Sequence, residues 1–260
     1  MTRSASEPES TRRFSNRVEN YVRFRPGYPA ALLDILENEI GLTAGFAVAD
    51  IGSGTGISAE LFLGRGCTVF GVEPNRGMRQ AAEERLGSHE RFHSIDGTAE
   101  DTTLPARSID LVVAAQAFHW FDRDALRIEL ARIAREDATM LLLWNSRRTD
   151  SSPFLEEYEA MLHEYGTDYE AVNHRNLDPE SLRTMFAGGA MQRRSLYNEQ
   201  RMDLEGVRGR LLSSSYVPAE GEVGHEPMLA ALTRIFDRHQ VNGRVTFEYD
   251  TEMYFGRIRR

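Results

Sequence analysis

Apolar runs of five to seven residues, bounded by turns and separated by stretches of helical periodicity, recur through the middle of the chain. FAVADI (46–51), TVFGVE (68–73), RFHSI (91–95), DLVVAAQ (110–116) and ATMLLLW (138–144) read as strands. Between them Ile57–Leu63, Arg76–Leu86 and Asp122–Arg135 repeat their apolar residues every three or four positions and read as helices. Strands that are apolar at nearly every position need cover on both faces. The pattern therefore predicts an α/β domain built on a doubly wound, mostly parallel sheet.

Upstream, Asn16–Phe24 and Ala30–Ile40 read as two helices broken by Pro26-Gly27-Tyr28-Pro29. Downstream of Asn145 the alternation loosens into helical stretches, a strand at 193–203, and RVTFEYDTEMYF (244–255), which suits a long terminal strand running antiparallel to the rest. The expected organisation is a disordered tail at 1–13, N-terminal lid helices at 14–45 and a ligand-binding core at 46–146. A helical cap at 147–192 follows, and 193–260 completes the sheet.

Composition narrows the functions available. A chain of 260 residues with 41% hydrophobic content has the material for one large domain. Its single cysteine, Cys67, excludes a disulfide framework, and MTRSASEPESTRRF lacks the apolar core of a signal peptide. No apolar run approaches the ~18 residues needed to span a bilayer. The expectation is a cytoplasmic protein, monomer or homodimer, without a membrane partner. A formal charge of −9 argues against nucleic acid and for a small-molecule partner. The chain contains no lysine, so all 31 basic residues are arginine. That removes phosphate-binding P-loops, Schiff-base chemistry and Tyr-x-x-x-Lys dehydrogenases.

In DIGSGTG the strand ends at Ile51, and Gly52, Gly54 and Gly56 let the backbone turn sharply and approach a ligand; Ser53 and Thr55 complete the turn. Glu73 follows Gly52 at the end of the second strand, where a carboxylate can accept both ribose hydroxyls of a nucleoside. The glycines are spaced G-x-G-x-G rather than the G-x-G-x-x-G of a dinucleotide fingerprint, and Asp50 at the strand end would repel a pyrophosphate. A cationic nucleoside fits better. S-adenosyl-L-methionine, with its ammonium and sulfonium, matches that charge.

With V-x-D-I-G-S-G-T-G, then G-V-E-P-N followed by Met78, then I-D-G-T-A-E and I-D-L-V-V-A-A-Q-A-F-H-W-F, residues 46–146 resemble the consecutive motifs of class I S-adenosylmethionine-dependent methyltransferases, of the small-molecule, trans-aconitate methyltransferase-like group. The resemblance implies a Rossmann-like methyltransferase fold, with S-adenosyl-L-homocysteine as product. It also implies that Asp50, Gly52 and Gly54 surround the methionyl part, that Glu73 holds the ribose and that Pro74 and Met78 pack on the adenine. Thr98 and Ala99 would line the adenine's polar edge, with Glu100 as an alternative, since many members carry aspartate where this chain has Thr98. YVRFRPGYP (21–29) is similar to a segment that folds over the cofactor in a subgroup of these enzymes, which makes Tyr21, Arg25 and Tyr28 candidates.

Ligands bind beyond the carboxyl ends of the strands in such a sheet, so the fourth strand delivers Gln116, Ala117, His119 and Trp120 to the methyl group. His119 could accept a proton from a hydroxyl acceptor, and Trp120 and Asn145 complete the candidate catalytic set. Enzymes that methylate exocyclic amines of nucleic acids or glutamine amides usually carry Asn/Asp-Pro-Pro-Tyr/Phe where this chain has Ala-Gln-Ala-Phe, which favours an oxygen acceptor, carboxylate or hydroxyl, on a small metabolite. Arg147 and Arg148 at the fifth strand's end are candidates for carboxylate recognition. The rival readings are a non-catalytic cofactor-binding subunit and, less favoured, a protein or nucleic-acid methyltransferase.

HERFH (89–93) matches the zinc-protease pattern H-E-x-x-H. That motif needs a single helix, whereas Gly87-Ser88 ends one helix and Phe92-His93 enters a strand, so no metal is expected.

Overall fold

The computed structural model describes residues 18–167, 169 and 179–259; the tail expected at 1–13 lies outside them. Seven strands form one sheet in the order β3-β2-β1-β4-β5-β7-β6. They are β1 Ala47–Ile51, β2 Thr68–Val72, β3 Phe92–Ile95, β4 Ile109–Ala115, β5 Ala134–Arg147, β6 Gln192–Met202 and β7 Val245–Arg257. The first five pair in parallel. β7 runs antiparallel between β5 and β6, from Thr139↔Arg257 to Arg147↔Tyr249 on one side. The long terminal strand is thus the antiparallel one. The outer edge falls to β6, an exposed run carrying Arg193 and Arg194 that resists further strand pairing.

Strand alternation sorts the core into two layers. Val112, Ala114, Met140, Leu142 and Trp144 face Leu126, Leu130 and Ile133 of α5 (Arg123–Ile133; helices are numbered in chain order). Their neighbours Leu111, Val113, Leu141 and Leu143 face the other way. There they meet Leu32 and Leu36 of α2 (Ala31–Ile40), Ala59 and Phe62 of α3 (Ile57–Gly64), and Ala82 and Leu86 of α4 (Arg76–Leu86). Each of these apolar side chains contributes about 1.5–3 kcal/mol by leaving water.

A third apolar cluster lies beyond the strand ends. It joins Phe154, Tyr158 and Leu162 of α6 (Pro153–Tyr165) to Val207 and Leu211 of α8 (Leu204–Leu212) and to Met228, Leu232 and Phe236 of α9 (His225–His239). Phe247 and Tyr249 of β7 form its floor. The cap expected at 147–192 therefore recruits α8 and α9 from the stretch assigned to the sheet; α7 (Pro179–Arg183) packs with the core instead, through Leu182.

α1 (Val18–Phe24) closes over this arrangement. A Cβ on Gly209 would run into the Phe24 ring, so glycine is what lets α1 approach α8 so closely. Arg23 pairs with Glu205 at 2.7 Å, Gln200 Nε2 donates to the Phe24 carbonyl at 3.3 Å, and Arg25 Nη2 donates to the Ser213 carbonyl at 2.8 Å.

Candidate active site

Two adjoining chambers open at the carboxyl ends of β1, β2 and β4, sharing Tyr21, Gly52, Gly54, Ala115 and Gln116 as common wall. One is the nucleoside-sized chamber, walled by Glu73, Pro74, Asn75, Met78, Ala117, Trp120 and Phe121. The other runs beneath the lid and cap, past Arg25, Tyr28 and Ser58 to Arg147, Tyr169, Arg210 and Tyr216.

The turn after β1 is stapled to β2, since Gly52 and Ser53 N–H groups both donate to the Val72 carbonyl, at 2.8 and 3.2 Å. Gly54 has φ +56° and nothing within 4 Å of where its Cβ would be, so backbone is presented directly to the chamber. Gly56 serves packing instead: its Cβ would lie 2.5 Å from Leu86. Neither Thr55, which is buried, nor Gly56 reaches a chamber wall.

Glu73 is fixed by two amides, accepting from Asn75 N–H at 2.8 Å and from Gly54 N–H at 2.9 Å. Burial raises its carboxyl above the ordinary range despite those bonds. Each oxygen keeps a lone pair for a ligand hydroxyl. Asp50 is fully buried just beneath this floor, outside both walls, with Oδ2 accepting from Ser58 Oγ at 2.7 Å. Its Oδ1 has no hydrogen-bond partner among the described residues. Burial, reinforced by Glu73, pushes its pKa up to about 7. An under-satisfied carboxylate beneath the shared wall fits a cationic ligand above it.

The geometry redistributes the other candidates. Gln116 stands in both walls and Ala117 in that of the nucleoside chamber, and Gln116 holds a left-handed backbone, φ +59°, pinned by its N–H to the Leu143 carbonyl at 2.9 Å. Strain in a non-glycine residue at the junction of both chambers marks a place where side-chain direction matters. Phe118–Trp120 form one 3-10 turn, which points three consecutive side chains to three sides. Phe118 is buried in the core and Trp120 walls the nucleoside chamber; His119 packs at a tilt against Trp120, ring centroids 4.8 Å apart, and lines neither chamber. The expectation of His119 as a base at the methyl group is corrected by that rotation, which puts Trp120 in the wall with Glu73, Pro74 and Met78.

Asn145 reaches the cap chamber, but its amide is engaged in a knot. Nδ2 donates to the Gly27 carbonyl at 3.1 Å, while Oδ1 accepts from Thr251 Oγ1 at 2.6 Å and Asn198 Nδ2 at 3.2 Å. Asn198 grips the same Gly27 carbonyl at 2.9 Å. Asn145 is therefore a positioning residue for the lid rather than a catalytic one.

Arg147 and Arg148 part company because strand neighbours point to opposite faces. Arg147 lines the chamber, bonded to Glu159 and lying 4.9 Å over the Tyr158 ring. Arg148 turns away, half-exposed, pairing with Asp250 at 2.7 Å, so its assignment to the substrate is corrected. Thr98, Ala99 and Glu100 also stand outside both walls. Thr98 Oγ1 accepts from Asp101 N–H at 3.1 Å, Ala99 is buried in the core, and Glu100 accepts from Asp122 N–H at 3.0 Å. Thr98 thus closes its own turn, and Glu100 ties that turn to the N-terminus of α5.

Sequence reasoning missed Asn75, Phe121 and Ser58, and above all Arg210, Tyr169 and Tyr216. Asn75 could have been found, being the N-cap of α4 and accepting from Met78 N–H at 3.1 Å. The cap residues carry no local signal. His89 of the HERFH run sits in the turn after α4, while His93 lies in β3 against Phe70 at 4.9 Å. Among the described residues no group of three possible metal ligands occurs, and no helix is long and apolar enough to cross a membrane.

A methyltransferase-domain family model matches residues 49–142, the stretch that builds these walls. Over that stretch the chain is similar to methyltransferase domains. An uncharacterized methyltransferase of Mycobacterium tuberculosis is 34% identical over 134 residues, 52% of each chain. An uncharacterized methyltransferase-like protein of Schizosaccharomyces pombe is 26% identical over 159 residues, 60% of this chain and 59% of its own. The chain thus matches little more than half the length of these relatives. Among solved structures, a candidate type II methyltransferase from Anaeromyxobacter dehalogenans is 26% identical with a TM-score of 0.62, covering 90% of this chain and 98% of its own. The likeness to that structure therefore extends well beyond the stretch that the family model matches.

Proposed function

We propose that this protein is an S-adenosyl-L-methionine-dependent methyltransferase acting on an oxygen of a small metabolite. One observation carries the reading: a nucleoside chamber with a fixed acid shares a wall with a second, lid-covered chamber, so two ligands can meet at Gly54, Ala115 and Gln116. S-adenosylmethionine, when bound, supplies an activated methyl group on a cationic sulfur.

The chain's own contribution is holding and excluding. Glu73 binds the ribose hydroxyls, and Pro74, Met78, Trp120 and Phe121 sandwich the base. Asp50, beneath the wall, balances the ligand's positive charge, and Arg25 of the lid takes its carboxylate. Burial, together with the Arg210 charge, holds Arg25 below its ordinary pKa, and its Nε is buried without a hydrogen-bond partner among the described residues, as fits a guanidinium suited to an anion. Tyr21 and Tyr28 close the chamber against water, which favours an in-line displacement between positioned reactants.

The guanidiniums of the cap chamber disfavour a cationic amine acceptor, which supports oxygen. Among the described residues no histidine lines either chamber, and that suits an acceptor already ionised. The test is release of S-adenosylhomocysteine in the presence of a metabolite library. Tight cofactor binding without turnover of any acceptor would favour the non-catalytic reading.

A further inference from the structure

The cap chamber is over-supplied with positive charge. Arg25, Arg147 and Arg210 all line it, from the lid, β5 and α8. Of these three, only Arg147 has a carboxylate partner among the described residues, Glu159. Arg210 is buried, 6% exposed, and its side-chain hydrogen bonds go to neutral hydroxyls: Tyr249 at 3.4 Å and Ser214 at 3.2 Å. Tyr216 senses the surplus. Burial alone would raise its phenol, yet Arg210, Arg147 and Arg25 together bring it below the ordinary tyrosine value.

A buried guanidinium without an anion is costly, so such a group persists where a ligand supplies the charge. On the reading proposed above, the cofactor brings one carboxylate. Arg25 is placed for it, because Arg25 lies 4.8 Å over the ring of Tyr21, which walls both chambers. Arg210 is anchored instead to the cap floor through Tyr249. Among the described residues one charge then remains unmatched. We propose that Arg210, with Tyr216 and the Arg147–Glu159 pair beside it, is a carboxylate-binding subsite for the methyl acceptor, which makes the acceptor an organic acid. Guanidinium–carboxylate pairing is bidentate and geometrically selective, so Arg210 orients the acceptor as well as attracting it.

The experiment compares acids with their neutral amides at constant ionic strength, with and without S-adenosylhomocysteine: 4-hydroxybenzoate against 4-hydroxybenzamide, 3-phenylpropionate against its amide, succinate against succinamide. Binding is read by calorimetry and by the shift in melting temperature. At least one acid should bind the loaded protein tenfold or more tightly than its amide. Arg210→Gln should reduce that preference to under twofold, and Arg210→Lys should keep part of it, both with S-adenosylhomocysteine affinity within twofold of wild type. Arg208→Gln, on the exposed face of the same helix, should change nothing. Acids and amides binding alike, or a preference that survives Arg210→Gln, overturns the subsite. Failure of wild type to bind S-adenosylhomocysteine counts against the cofactor reading instead, and the acid–amide difference without it still decides Arg210.

Discussion

The nucleoside chamber and the cap chamber share a wall but are built by different logic. The first draws its polar anchors from one βαβ unit, where Glu73 closes back on Gly54 N–H at 2.9 Å and Asn75 caps the next helix. The second assembles Arg25, Arg147, Tyr169, Arg210 and Tyr216 from the lid, a strand end and the cap. A site made of neighbours in sequence is held by backbone geometry and tolerates little. A site made of distant segments depends on how those segments dock, and it can change its ligand by changing side chains alone.

That contrast can be broken first at Glu73. Glu73→Ala should weaken S-adenosylmethionine by roughly 1.5–3 kcal/mol, the cost of losing hydrogen bonds to a charged group, or about ten- to hundredfold. Calorimetry showing unchanged affinity would remove Glu73 from the ribose. Next comes docking of the lid. Gly209→Val drives a side chain into Phe24, an overpacking that costs about 1–3 kcal/mol. Proteolysis within the lid should accelerate and acceptor kcat/KM should fall about tenfold. A variant with lid protection intact would show that the cap chamber does not rely on this contact.

Asp50 sharpens the comparison through pH. Its folded-state pKa is raised to about 7 by burial, so the carboxylate form that favours a cationic ligand is lost as pH falls through 7. Cofactor affinity should therefore drop about five- to tenfold between pH 8 and 5.5, and Asp50→Asn should flatten the profile. A wild-type profile already flat over that range rules out Asp50 as the charge the ligand meets. The smallest effect is expected at Arg148, whose partner Asp250 lies outside both chambers. Arg148→Met should alter acceptor KM less than about twofold, while Arg147→Met, inside the chamber, should raise it well beyond that.

Continuous apolar runs made the strands legible and a three-to-four-residue apolar repeat the helices, because both are local properties; that Leu111 and Val112 face opposite layers follows from the pleat. The glycine turn and Glu73 were legible for the same reason. His119 was misplaced because a single 3-10 turn decides which of three adjacent side chains meets the ligand. Arg148 was misplaced by one step of the pleat. Arg210 and Arg208 are indistinguishable in VRGRLL; only docking of α8 buries one and exposes the other.

The two asparagines that grip the Gly27 carbonyl also impose an order on folding. Asn145 comes from β5, Asn198 from β6 and Thr251 from β7, so the knot can form only after β7 has slotted between its two neighbours. These contacts join residues more than a hundred positions apart, and such long loops close late. Pro26 and Gly27, near the start of the chain, must therefore wait for the last strand before the lid settles. The corner at Gly27 thus ties the lid to the register of the sheet: a chain whose antiparallel strand is unpaired or out of register loses the Thr251 support of this knot and keeps only the lid's contacts to α8 and the strand ends.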